Sequence, residues 1–204
     1  SSVIMSAAFG TGDTLNFSIR NQAITGLQYI DELIIPVKMG TTDTFGSTYI
    51  DQKSLTELIS VLSEIDDIDG IMPQIAENVP TQNVRTSLSE GQMNLVGIDP
   101  DMTDGFGELK LVDGSLASVQ TLNSDEIYIS TSAMEQLDGL IGDELDVFIN
   151  DQVHRFTIRG ELQRGGFAGI DPTIIMSISR ANTLFDRTGE ANTVVISNVG
   201  DEIS

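Results

Sequence analysis

The sequence predicts an α+β fold in two lobes, and three observations predict it. An amphipathic helix spans 51–65 between extended segments, a strand–helix–strand unit runs over 173–199, and a β-rich stretch lies between, clearest as a hairpin over 143–162. The outer units would form one lobe from both chain ends, residues 1–103 and 166–204. Residues 104–165 would be a smaller β-rich lobe inserted between them, and both termini would then lie on one lobe.

The elements follow in order. Residues 13–30 carry Leu15, Ile19, Ala23 and Leu27 at a spacing of four, which predicts a helix with Asp13 as its N-cap. "DELIIPVKM" at 31–39 reads as a strand, held to an edge or bulge by Pro36, and "TTDTFGSTY" as a polar loop. The helix of 51–65 has Ser54 as expected cap, Glu57 three residues on as a capping box, and one stripe of Leu55, Leu58, Ile59, Leu62 and Ile65. Pro73 and Pro80 argue against helix in the next segment. It and the segment before Asp99 read as extended, with a turn at Ser89, Glu90 and Gly91.

Beyond Asp99 the chain is loop-like to about 125, then gives a strand at 125–131 and a short helix at 132–140 ending near Gly139. Leu145, Val147 and Ile149 alternate, as do Val153, Phe156 and Ile158 beyond Asn150, Asp151 and Gln152, which predicts the hairpin. "GGFAG" at 165–169 reads as a flexible loop, and a strand, helix and strand follow at 173–178, 179–187 and 192–199. No internal repeat or low-complexity run is visible.

Composition excludes several functions. The chain has 204 residues and a net charge of −21 from 31 acids and 10 bases, only three of them lysines, so nucleic acid and anionic lipid should repel it. It has no Cys, hence no disulfide framework or thiolate chemistry. No run of 18 apolar residues spans a membrane. The start, "SSVIMSAAFGTGD", reads as the edge left by a processed signal or an excised membrane helix.

Sites are equally sparse. His154 is the only histidine and sits in an alternating strand, so a Ser-His-Asp triad has one improbable base and zinc has no ligand pair. No GxGxxG or GxxxxGK[ST] pattern supports nucleotide binding. With so many acids, carboxylate pairs suited to sugar hydrolysis arise by chance, and there is no Trp to make a sugar platform. "GIDPDMTDGFGE" at 97–108 offers Asp99, Asp101, Asp104 and Glu108 as calcium ligands. Counted from Asp99, though, Gly105 falls at position seven instead of six, and Lys110 occupies position twelve. A secreted or surface calcium- or ligand-binding module stays the alternative reading. No cofactor is expected.

Several short motifs follow one another in an order that resembles one family. They are Gly97-Ile98-Asp99, "LVDG" at 111–114, Ala133 with Leu137, Gly142-Asp143-Glu144-Leu145, Ile158-Arg159-Gly160, and 174–178 with Ala181 and Leu184. The chain resembles the extracytoplasmic core domain of MacB/FtsX-like ABC transporter permeases, most closely over 93–187. That resemblance implies a non-catalytic domain outside the cell membrane, with a porter-like lobe and an inserted β-rich lobe. Its implied partners are a cytoplasmic ABC ATPase reached through membrane helices, an extracytoplasmic protein, and a second copy in the full transporter. Movement would be absorbed at the crossings between lobes, where Gly105, Gly107, Gly165, Gly166 and Gly169 are the candidate hinges. Substrate and subfamily have no marker.

Overall fold

The computed structural model describes residues 16–20, 30–37 and 48–199. Strands β1 (Asn16–Arg20) and β2 (Glu32–Val37) lead into helix α1 (Gln52–Leu62), then β3 (Ile68–Asn83) and β4 (Ser89–Ile98). After a long wrapping segment come β5 (Glu126–Ser130), α2 (Thr131–Gln136), β6 (Glu144–Ile149) and β7 (Gln152–Leu162). β8 (Thr173–Ser177), α3 (Ile178–Phe185) and β9 (Thr193–Asn198) complete the chain. The α+β class is as expected.

The strands form one sheet in the order β1-β2-β9-β3-β4-β8-β5-β7-β6, and β6 also pairs with β3. That last pairing closes β3, β4, β8, β5, β7 and β6 into a six-stranded barrel, leaving β9, β2 and β1 as a flat extension. β3 serves both parts. Residues from Ile68 to Gln74 pair with β9, whereas those from Ile75 onward pair with β4 and β6. Three strands of 104–165 therefore make half of the barrel wall.

Alternation decides which side chains fill the barrel, because successive residues of a strand face opposite sides. Ile75, Val79, Met93, Leu95, Ile127, Ile129, Leu145, Val147, Phe156, Ile158, Ile174 and Met176 all face inward and are buried. Two helices plug the ends: α3 brings Ala181 and Leu184 to one, and α2 brings Ala133 to the other, with Leu137 just behind it. Residues 104–122 wrap the outside, where Phe106 and Val119 cover Ile98, Tyr128 and Ile175. Helix α1 lays Leu55, Leu58 and Leu62 on Ile34, Val194 and Ile196 of the flat part.

Four expectations change. Residues 16–20, expected as helix, pair antiparallel with β2 from Asn16 opposite Val37 to Arg20 opposite Leu33, because a neighbouring strand outweighs a periodicity of four. The remainder of that helix, its Asp13 cap, the loop over 41–47 and the starting edge lie outside the described residues. Helix α1 is capped by Asp51, not Ser54; its Oδ1 accepts from the amides of Lys53 (3.0 Å) and Ser54 (3.1 Å). The β3–β4 turn occupies 84–88, not 89–91, because Asn83 Oδ1 accepts from the Arg85 amide at 2.9 Å and starts the turn early. The segment 165–169 is a packed turn, with Phe167 buried. Pro80 lies where the β3–β4 register shifts, the place for a residue without an N–H.

Candidate functional site

The two crossings, 99–108 and 163–172, meet in space. Phe106 and Phe167 are buried with ring centroids 5.6 Å apart, and both segments line one small groove with Glu108, Lys110, Gln163 and Arg164. Gly105 has φ +81, and a Cβ there would come within 3.0 Å of the Asp69 backbone, so only glycine fits. Its carbonyl accepts from the Ser197 hydroxyl at 2.9 Å, tying the crossing to β9. Gly107, Gly165, Gly166 and Gly169 also have positive φ, and the Gly165 amide closes the turn onto the Gly169 carbonyl at 3.0 Å.

A second feature, which the sequence reading missed, sits where β3 leaves the flat part for the barrel. The Asn192 side-chain amide donates to the Ala76 carbonyl (2.9 Å) and accepts from its N–H (2.8 Å), extending the β3–β9 ladder past the end of β9. Asn192 also donates to Glu77 Oε1 at 3.0 Å, and the Tyr49 hydroxyl donates to the same oxygen at 2.7 Å. Burial, and then the hydrogen bond to Glu77, push the Tyr49 hydroxyl far above its ordinary value, so it remains a donor at any physiological pH. The Arg187 guanidinium stacks 4.5 Å from the centre of its ring. Nothing local marks Asn192 in the sequence, since its partner is 116 residues away.

The opposite end of the barrel is locked by charge. Arg85 Nε donates to Asp143 Oδ1 (2.9 Å) and Oδ2 (3.0 Å), and the buried Asn83 amide donates to Asp143 Oδ2 at 3.0 Å. The Leu140 N–H adds a further bond at 2.9 Å. The Arg85 hydrogen bond is the main reason that the Asp143 carboxyl is held down at about 2. Asp143 belongs to the Gly-Asp-Glu-Leu motif, and the other motif residues are structural as well: Ala133, Leu137, Ala181 and Leu184 are all buried.

The expected acids do not converge. Asp99 Oδ1 accepts from the Asp101 amide (3.0 Å), and Asp101 Oδ1 accepts from Gln120 Nε2 (2.9 Å), so both shape a turn. Among the described residues no three His, Asp or Glu side chains are placed to hold a metal ion. His154 sits on the inward row of β7 at the barrel mouth, its basicity lowered by burial and then by the charge of Arg180. Among the described residues no helix is long and apolar enough to cross a membrane.

The joint, the end lock and the packed crossing are each held by hydrogen bonds, ion pairs or ring contacts. The model of the MacB-like periplasmic core domain matches residues 1–202. The chain belongs to that family. Solved structures agree on the fold of this MacB-like domain. The periplasmic region of MacB from Actinobacillus actinomycetemcomitans is similar over 84% of this chain and 75% of its own, at 15% identity and a TM-score of 0.53. The extracellular domain of YknZ, a noncanonic ABC-type transporter from Gram-positive bacteria, is similar over 71% and 73%, at 14% identity and a TM-score of 0.51. None of the curated proteins matches.

Proposed function

We propose that this MacB-like domain is the extracytoplasmic part of an ABC transporter permease and works by mechanical coupling, without catalysis of its own. The family match over residues 1–202 carries the reading. A cytoplasmic ATPase would drive it through membrane helices attached to the flat part, and the barrel would pass the movement to a substrate or a protein outside. The architecture suits that role: the flat part and the barrel share one continuous strand, β3, so a displacement of one is felt by the other. Within the barrel, bending would concentrate at the crossings that join β4 to β5 and β7 to β8, at Gly105, Gly107, Gly165, Gly166 and Gly169, with the Phe106–Phe167 contact as the surface that slides.

Localisation is tested with a single reporter. This chain has no cysteine, so with any cysteines elsewhere in the transporter replaced, Val112→Cys, at a position 50% exposed, gives one labelling site. In cells carrying the intact transporter, a membrane-impermeant maleimide added from outside should label it fully. Labelling only after the cell membrane is breached would reject the extracytoplasmic assignment.

A further inference from the structure

Arg180 sits where the matching helix of the barrel carries an alanine. It lies in the first turn of α3, where the helix dipole disfavours a cation. The sister helix shows what the plan requires. Ser130 and Ser177 cap α2 and α3 alike, and three residues later each Ser oxygen accepts from a backbone amide, of Ala133 and of Arg180. At that position α2 carries a fully buried alanine. In α3 the guanidinium instead lies 5.7 Å from the centre of the Phe156 ring, across the barrel mouth. Arg85, Arg155, Arg164 and Arg187 each pair with a carboxylate, but among the described residues Arg180, like Arg159, has none within 4.0 Å, although acids outnumber bases three to one. Its Nε is buried and has no hydrogen-bond partner among those residues.

Arg180 lines a groove of about 340 Å³ together with Ser124, Ser177, Ser179, Thr183 and Glu126, a size that suits a small ligand or one end of a peptide. Glu126 is already engaged, accepting from the Asn123 amide at 2.9 Å. We propose that this groove binds a carboxylate, received by the Arg180 guanidinium with the hydroxyls around it. One planar cation matches one planar monoanion in charge and in donor geometry, whereas a dianionic phosphate would meet the charge of Glu126 with only one cation to balance it. The carboxylate belongs either to a free small acid or to an acidic peptide group. The assignment does not depend on the transport reading.

The test titrates the 204-residue chain, with its arginine side chains ¹⁵N-labelled, with acetate, with a short peptide bearing a free C-terminal carboxylate, with its amidated twin, and with inorganic phosphate. A saturable shift of the Arg180 Nε–H signal is expected. Saturation by acetate identifies a free acid as the source; saturation by the acid peptide alone identifies a peptide carboxylate. R180Q should weaken binding by at least about tenfold and R180K by less, the loss of one charge-assisted pair. R155Q, which removes a cation already paired with Asp146, should leave affinity unchanged. No saturable shift in the unsubstituted chain, equal binding of the amidated peptide, or tighter binding of phosphate would each overturn the proposal.

Discussion

Within the barrel, β5–α2–β6–β7 and β8–α3–β3–β4 follow one plan. In each, a strand runs into a Ser-capped helix and lies parallel to the second strand of a hairpin, β5 beside β7 and β8 beside β4. The two units meet antiparallel at β5–β8 and again at β3–β6, which closes the ring. They differ in connection. The first unit is continuous from 126 to 162, and its hairpin turns on Asn150 and Asp151, both at positive φ, the conformation that two-residue hairpin turns demand. The second is assembled from distant parts of the chain, and its hairpin turns through the longer 84–88 loop braced on Asp143. A unit built from local contacts closes cheaply, whereas one built from distant contacts needs specific side chains to hold it. Joint and lock both serve the second unit. On the proposed coupling, movement would enter there.

Substitutions can break or sharpen that contrast. The largest effect should come from Gly97→Ala, which would place a Cβ 2.6 Å from the Ala181 Cβ and 3.1 Å from the Ile178 Cα. α3 would have to lift from its seat, costing about 1–3 kcal/mol in a denaturant melt. Asn83→Ala and Asn192→Ala remove the buried amides of the lock and the joint and should each cost about 1–2 kcal/mol. Equal loss from a polar side chain exposed on β6 or β7 would erase the contrast. The lock should also fail in acid. The folded-state carboxyl of Asp143 titrates at about 2, below its unfolded value, so its contribution is present above about pH 4 and is lost as pH falls towards 2. Asp143→Asn should flatten that part of the stability–pH curve. Smallest, and of opposite sign, Asp151→Gly relieves φ +60 in the short turn and should stabilise by a few tenths of a kcal/mol.

Much of this was legible in the sequence. Alternation located β6 and β7, the apolar stripe located α1, and Pro73 and Pro80 kept β3 extended. The ring was not legible, because alternation says that a strand has an inner face and not which strand lies beside it. The twofold plan leaves only a Ser, a second Ser two residues on and a Leu at the seventh, at Ser130, Ser132 and Leu137 and again at Ser177, Ser179 and Leu184, too little to read as a repeat. At 16–20 the period of four in Leu15, Ile19 and Ala23 predicted a helix where pairing with β2 makes a strand. The joint escaped because its residues, Tyr49, Glu77 and Asn192, are far apart in the chain.

The coupling account stands or falls on the crossings. With no cysteine in this chain and any others in the transporter replaced, Glu108→Cys and Gln163→Cys, both lining the groove between the crossings, can be bridged by a short cleavable cross-linker in the intact transporter. The account predicts that bridging abolishes export and that cleaving the linker restores it, with neither substitution alone having an effect. Full export from the completely bridged transporter would contradict it.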